Sequence, residues 1–150
     1  MTDMSVPVTR LVERFEQTYR DHMEGLPIVN KALQVEAIGF RDFEDHQLGV
    51  LVTPWFMNLV LLPGNDAWSD AAQGDLSAIA FPSGPVDFTV CHDDALGTYL
   101  SAVLFSSVAD VPDQARAQQL ALNVMAGLDQ PPSGTGKISR RSLLTGLRSS

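Results

Sequence analysis

Cys91 is the residue of this 150-residue chain best suited to nucleophilic chemistry, and His92 follows it directly. Adjacent residues of a strand point to opposite faces, so these two side chains do not form a ready catalytic pair. The nearest carboxylates, Asp93 and Asp94, have the surroundings of a polar turn. A buried or edge-strand cysteine is the favoured interpretation. A small-molecule-binding or hydrolytic domain that uses Cys91 and nearby carboxylates is kept as the alternative function.

Metal and cofactor sites have little support in the sequence. The three histidines, His22, His46 and His92, do not occur at the i, i+4 spacing of a helical metal site. A single cysteine excludes both an internal disulfide and a CxxC-type site, and it suits a reducing compartment. The Gly-rich fragment at residues 133–137 has neither a strand before it nor the Walker spacing after it. We therefore expect no metal, no cofactor and no catalysis.

Charge divides the chain into two parts. Residues 1–130 hold six basic and all 18 acidic residues, a net charge of −12, whereas residues 131–150 hold four basic residues and no acid. The acidic balance argues against a nucleic-acid-binding surface and favours cationic partners. Because the last twenty residues are also rich in Pro, Ser and Gly, we expect one domain over 1–130 and a flexible basic tail over 131–150.

No segment of the sequence indicates export or membrane insertion. The first residues lack a basic region followed by an apolar one. The longest apolar stretch, Leu48 to Leu62, is shorter than the roughly 20 residues that a spanning helix needs. We expect a cytoplasmic protein that is not embedded in a membrane.

Two helices are predicted, one near each end of the domain. Apolar residues at helical spacing start after Ser5, the expected cap, and the pattern ends at Gly25 and Pro27. A second helix is expected to begin at a cap provided by Asp110, with Asp113 in its first turn. Its buried stripe would consist of Ala117, Leu120, Ala121, Val124 and Leu128.

Between the helices, alternating and apolar runs predict an antiparallel sheet of about five strands. The Phe56–Leu62 run is apolar on both faces, which indicates a central or helix-covered strand. Residues 67–85 are interrupted by Gly and Pro, which indicates a long exposed loop or a short helical turn. The fold class is therefore α+β. The predicted strands are Leu33–Phe40, Leu48–Thr53, Phe56–Leu62, Val86–Val90 and Thr98–Phe105.

The run from Val52 to Gly64, followed by Trp68, concentrates both tryptophans of the chain around a proline. Such residues are typical of a packed core, which is the favoured interpretation. Partial exposure as an apolar groove is the alternative, because Trp and Met are enriched at recognition surfaces.

Several sequence blocks resemble the HybE/HupJ family of NiFe-hydrogenase assembly chaperones. They are TPWFMNLVLLPG, DAW, GPVDFTV, LGTYLSAVLFSSV and SRRSLLTG, and they occur in that order along essentially the whole chain. The resemblance implies a non-enzymatic maturation factor that binds hydrogenase precursors before export. These are the large-subunit precursor and the small-subunit precursor with its twin-arginine signal peptide. Some relatives carry a rubredoxin module, for which this chain lacks the cysteines.

A twin-arginine signal peptide has a basic and an apolar region, so its binder needs acidic charge beside an apolar groove. The acidic body and the tryptophan-containing run could provide both. The predicted partner-binding residues are Pro54, Trp55, Phe56, Met57 and Trp68, with Asp66 and Asp70 as an acidic rim.

Arg140 and Arg141 are also predicted to take part in partner binding. The segment Ser139–Leu144 resembles a twin-arginine export motif, although its place near the C-terminus is not that of an export signal. The favoured hypothesis is that this basic segment docks on the acidic body. The second hypothesis is that it competes with the signal peptide for the same groove.

Overall fold

The computed structural model describes residues 5–105 and 107–130. They form one six-stranded antiparallel sheet in the order β1-β2-β3-β6-β5-β4, with one helix on each face. The α+β prediction is confirmed, with six strands instead of about five. The predicted tail over 131–150, with Arg140 and Arg141, lies outside the described residues. The elements are α1 (Ser5–Thr18), β1 (Glu36–Phe43), β2 (His46–Val52), β3 (Met57–Leu62), β4 (Leu76–Phe81), β5 (Gly84–Asp93), β6 (Gly97–Phe105) and α2 (Gln114–Leu128).

β3 lies inside the sheet, between β2 and β6, and both of its faces are buried. Leu59 and Leu61 pack into the larger core under α2, while Val60 and Leu62 pack into the smaller core under α1. This confirms the interpretation of an apolar run covered on both sides. The predicted stripe of α2 is also buried, and Met125 joins it.

α1 crosses the second face of the sheet and is held at both ends. Near its start, the Arg10 guanidinium donates to the Ala95 carbonyl oxygen at 2.7 Å, in the turn between β5 and β6. Leu11, in the middle of the smaller core, is fully buried. α1 continues into a π-helical turn, Tyr19–Met23, before Gly25. At the other end, Tyr19 stacks on Trp55, so the helical segment runs from the β5–β6 turn towards the turn between β2 and β3.

β4 corrects the prediction that residues 67–85 form a loop or a short helical turn. All six of its residues pair with β5, from Leu76 opposite Thr89 to Phe81 opposite Gly84. Gly and Pro residues on both sides of this short strand make the local sequence typical of a loop. In the fold, however, Ile79 and Phe81 pack against the larger core. The nonlocal pairing with β5 therefore produces a strand that local composition does not predict.

α2 begins three residues later than predicted. Asp113 is its N-cap, in an extended conformation, and its carboxylate accepts a hydrogen bond from the Arg116 backbone N–H at 2.9 Å. Asp110 precedes Pro112, and the chain between them is not helical. In the part of the chain that the structure describes, neither helix is long and apolar enough to cross a membrane.

Candidate functional site

The four-residue turn between β2 and β3 presents the TPW block at one end of the sheet. The Thr53 N–H donates to the Phe56 carbonyl oxygen at 2.9 Å, which closes the turn. The Thr53 hydroxyl accepts from the backbone N–H groups of Trp55 at 3.2 Å and Phe56 at 3.0 Å. Thr53 and Pro54 are both buried. A threonine here thus satisfies the turn's inward N–H groups and fixes the direction in which Trp55 leaves it.

Four aromatic rings link this turn to α1 and the π-helical turn. Trp55 stacks on Tyr19 with ring centroids 6.2 Å apart and planes 11° apart. Trp55 also meets Phe56 edge to face at 5.5 Å, and Phe56 meets Phe15 in the same way at 5.8 Å. Phe56, Trp55 and Tyr19 are all half-buried, and Phe56 packs against the smaller core. The ring contacts orient Trp55 rigidly and leave part of its surface exposed.

The loop after the π-helical turn carries two exposed aliphatic side chains and lies against the turn that holds Trp55. Leu26 is 42% exposed and Ile28 is 62% exposed. The Asn30 N–H donates to the Pro54 carbonyl oxygen at 2.7 Å, so this loop and the β2–β3 turn are adjacent. We call Tyr19, Leu26, Ile28 and Trp55 the Trp55 surface. π-helical turns frequently occur at functional sites, which makes this surface the candidate site.

Asn30 fixes the loop to a third segment. Its side-chain nitrogen donates to the carbonyl oxygens of Val108 at 2.9 Å and Val111 at 2.8 Å, and its side-chain oxygen accepts from the Ala32 N–H at 2.9 Å. One side chain therefore ties the loop to the connection between β6 and α2. Tyr19, Leu26 and Ile28 are absent from the residues predicted from the sequence. The signal in the sequence that could have identified the last two is their position as exposed-loop apolar residues directly after the helix-ending Gly25.

Trp68 lies at the opposite end of β3 from Trp55. Its ring packs against the His46 ring with centroids 5.0 Å apart, and its indole N–H donates to the Ser77 hydroxyl at 3.0 Å. His46 Nδ1 in turn accepts from the Gly64 N–H at 3.0 Å. Trp68 is packed against the larger core, so its contacts are those of a structural anchor for the segment between β3 and β4.

The predicted partner-binding residues therefore separate into groups. Pro54, Trp55 and Phe56 share the β2–β3 turn. Met57 is 0% exposed in the larger core, so it supports the turn from below and offers no surface of its own. The remaining predicted residues of the body, Asp66, Trp68 and Asp70, belong to the segment that follows β3, and both aspartates are exposed. The structure does not bring the two tryptophans into one groove.

The charges around the Trp55 surface are mixed. Asp21 and Glu24 are exposed there, but so are Arg20 and Lys31. The acidic excess lies elsewhere: residues 42–115, which include β2 to β6, contain 11 acidic residues and no Lys or Arg. An apolar segment and a basic segment of one partner would therefore meet different parts of this molecule.

Among the residues that the structure describes, Cys91 has no activating partner. Burial raises the pKa of its thiol, and a hydrogen bond with the Tyr99 hydroxyl only partly opposes this. His92 points to the other face, where its Nδ1 meets the Thr98 hydroxyl at 2.9 Å and its Nε2 meets the Ala71 carbonyl oxygen at 2.6 Å. Both ring nitrogens are thus engaged away from the sulfur. The arrangement keeps Cys91 as an un-ionised thiol, which disfavours the hydrolytic alternative.

Asp93, the carboxylate nearest to Cys91 in the sequence, is engaged in structural contacts. Partial burial opposes its ionisation, but hydrogen bonds from the Ala95 and Leu96 N–H groups and from Arg14 lower the pKa of this carboxyl overall. The Arg14 Nε lies 3.2 Å from Asp93 Oδ2. An ionised, paired carboxylate of this kind is a poor general base.

The regions 5–105 and 107–130 contain no cluster of side chains suited to a metal ion. No three His, Cys, Asp or Glu side chains there converge on a position that could hold a metal ion. A surface cleft of about 240 Å³ lies between the end of β6 and the start of α2. It is smaller than the roughly 300–1,000 Å³ of typical small-molecule sites. Its lining residues are Phe105, Ser107, Asp110, Val111, Pro112, Arg116 and Leu120.

Comparison with known proteins gives a consistent result. Residues 6–146 match the family described as NiFe-hydrogenase assembly, chaperone, HybE. The hydrogenase expression/formation protein HoxT of Azotobacter vinelandii is 41% identical over 143 residues, which cover 87% of this chain and 92% of that protein. The probable rubredoxin HupJ of Rhodobacter capsulatus is 40% identical over 122 residues, which cover 81% of this chain but only 44% of that longer protein.

The fold is likewise that of a solved family structure. The solution structure of HybE from Escherichia coli superimposes with a TM-score of 0.66 and 25% sequence identity, over 91% of this chain and 93% of that one. Since the family match covers nearly the whole sequence, the chain belongs to the HybE family of NiFe-hydrogenase assembly chaperones.

Proposed function

We propose that this chaperone binds hydrogenase precursor subunits in the cytoplasm before export and holds them by reversible binding, without catalysis. The clients are the large-subunit precursor, the small-subunit precursor with its twin-arginine signal peptide, or both. The observation that supports the proposal most directly is the Trp55 surface. There, a rigid turn holds a half-buried tryptophan, and the adjacent loop carries two exposed aliphatic side chains.

The Trp55 surface has the physical properties of a peptide-binding site. Tryptophan and tyrosine are enriched among the residues that dominate binding energy, because they offer a large rigid area at low entropic cost. The hydrogen bonds to Thr53 and the ring contact with Tyr19 already restrain Trp55 before a client binds. An apolar segment of a precursor would therefore bury surface here without first ordering the site.

The basic part of a signal peptide requires a different part of the surface. The region without Lys or Arg between residues 42 and 115 supplies the acidic charge, and it includes the exposed Asp66 and Asp70. Such charges increase the rate of association and select the partner more than they increase affinity. We therefore assign the apolar contact to the Trp55 surface and the basic contact to the region between residues 42 and 115 that lacks Lys and Arg.

Trp55→Ala tests the apolar contact. Binding of each purified precursor subunit is measured by fluorescence anisotropy, and the expected loss is at least about tenfold, or about 1.4 kcal/mol, because a central aromatic contact is removed. The matched control is Leu122→Ala, which removes an exposed leucine, 53% accessible, from α2 on the other side of the sheet.

Circular dichroism and urea unfolding show whether each variant is folded under the binding conditions. Ile28→Ala provides a second test, since this side chain is so exposed that its loss should leave the fold intact. If Trp55→Ala and Ile28→Ala are both folded and bind each precursor as tightly as Leu122→Ala does, the Trp55 surface is not the client site.

A further inference from the structure

β4 forms an edge of the sheet that carries none of the usual protections against pairing with another strand. The opposite edge, β1, is interrupted by a bulge between Ile38 and Arg41 and carries charged side chains. β4 has the sequence LSAIAF, with no charge and no proline, and its pairing with β5 is regular throughout. An exposed, regular and uncharged edge is a template for a further strand.

The outward hydrogen-bonding groups of β4 can be assigned from its pairing. A two-residue turn closes on the pair Phe81 and Gly84, and bonded pairs alternate along an antiparallel ladder. The N–H and C=O groups of Leu76, Ala78 and Ala80 therefore point away from β5. All three of these residues are exposed, Leu76 to 71%. The edge offers three donors and three acceptors, which is the arrangement used in strand addition.

The end of α2 brings the rest of the chain to this edge. The Leu128 carbonyl oxygen accepts a hydrogen bond from the Ser83 N–H at 3.2 Å, in the turn that directly follows β4. The described chain stops two residues later, at Gln130, and residues 131–150 follow it. Six linking residues, 131–136, extend up to about 20 Å, which is also about the length of a six-residue strand. Residues from Lys137 onward can therefore reach any part of the edge.

Charge favours this occupant over a second copy of the chain. Residues 137–144, with the sequence KISRRSLL, carry three basic residues, no acid and no proline. Around β4, by contrast, Asp70 and Asp75 precede the strand and Asp87 lies opposite Ala78 on β5. A second copy would bring another strand surrounded by the same acidic residues. The basic segment therefore complements the acidic charge around the edge, whereas the acidic residues of two copies would repel each other.

We propose that residues 137–144 add to the sheet as a seventh strand, antiparallel to β4 of the same chain. The antiparallel direction gives the shorter path, because the segment leaves α2 beside the end of β4 and a parallel strand would need the linker to span the whole edge first. The added strand covers the edge and places Arg140 and Arg141 in the acidic region of the sheet. The proposal concerns an edge that the Trp55 surface does not include, so it is independent of the client site.

The test is residue-resolved amide hydrogen exchange on the full chain by NMR. The amides of Leu76, Ala78 and Ala80 should exchange at least about tenfold more slowly in the wild type than in the double variant Arg140→Glu/Arg141→Glu, because the charge reversal releases the strand. The matched control is Arg20→Glu/Lys31→Glu, which makes the same charge change at exposed residues remote from β4. It should leave the protection unchanged. Equal exchange in the wild type and the Arg140/Arg141 variant would overturn the proposal.

A paramagnetic probe distinguishes this contact from an indirect effect on stability. A nitroxide attached through Ser142→Cys, in a Cys91→Ser background, should broaden the amide signals of Leu76, Ala78 and Ala80 and spare those of β1. In a second sample, nitroxide-labelled protein without ¹⁵N is mixed with ¹⁵N-enriched protein that carries no nitroxide. Broadening that appears only in the mixture, or protection that is lost on dilution, would assign the edge to a second copy and overturn the proposal.

Discussion

Asn30→Ala should destabilise the protein by about 3 kcal/mol. The Asn30 side chain makes three hydrogen bonds, to the carbonyl oxygens of Val108 and Val111 and from the Ala32 N–H. Each such bond contributes about 1 kcal/mol net. The Val108 carbonyl oxygen keeps its hydrogen bond from the Val111 N–H at 3.0 Å, so the expected loss is that of the three Asn30 bonds themselves. Because the same loop carries Ile28, precursor binding should weaken in the fraction of molecules that remains folded.

Asn30→Asp separates the donor from the acceptor. A carboxylate has nearly the shape of the amide and still accepts from Ala32, but it cannot donate, and it faces the carbonyl oxygens of Val108 and Val111. At neutral pH we expect Asn30→Asp to cost at least as much as Asn30→Ala. The surroundings raise the pKa of the introduced carboxyl above its unfolded value. Its cost should therefore decrease as the pH falls and the protonated group donates to one carbonyl.

The assay is thermal and urea unfolding of the wild type and both variants at pH 7 and at about pH 4.5. A loss of about 3 kcal/mol corresponds to a decrease in Tm of about 6–12 °C for a chain of this size. The difference between Asn30→Asp and the wild type should shrink at the lower pH, while that of Asn30→Ala stays constant. An Asn30→Asp variant as stable as the wild type at pH 7 would refute the assignment of the donated hydrogen bonds.

Two further predictions concern other contacts that hold the sheet. The pKa of Asp93 is lowered in the folded state, so its ionised form stabilises the protein above the ordinary value of 3.8 and this contribution is lost as the pH falls further. Asp93→Asn should therefore cost about 1 kcal/mol at pH 7 and less at the most acidic pH at which the wild type is still folded, both measured by urea unfolding, given that the pair with Arg14 is partly exposed. An equal cost at both pH values would contradict this. Gly64→Ala should cost about 1–3 kcal/mol in the same assay, because its methyl group would overlap the Asp45 carbonyl oxygen, and unchanged stability would show that the turn can move aside.

The sequence predicts β3 and α2 well because burial restricts the residue types at each position. An apolar run on both faces is compatible with few environments besides a covered central strand, and the stripe of α2 follows the helical period. β4 is different, since only Ile79 and Phe81 pack inward and its exposed positions are two alanines and Leu76. Its conformation depends on pairing with β5, which a local pattern does not contain.

The candidate site could be predicted only in part, because closeness in sequence across a strand is not closeness in space. Trp55 and Trp68 flank β3, and the length of the strand separates them. Tyr19, which stacks on Trp55, comes from the π-helical turn, and Ile28 comes from the loop before β1 that lies against the β2–β3 turn. Their approach depends on the path of α1 across the sheet and on the hydrogen bonds of Asn30.

The TPW-to-PG block that carries the family resemblance marks both ends of β3, and most of its contacts are structural. Thr53 closes the turn before the strand, and the Gly64 N–H binds His46 after it, where Trp68 packs on the same histidine. Substitutions at these positions should therefore reduce client binding only in proportion to the loss of folded protein. Trp55 combines a fixed orientation with an exposed apolar neighbourhood, so its substitution should weaken binding per folded molecule. This difference separates recognition from folding within one sequence block.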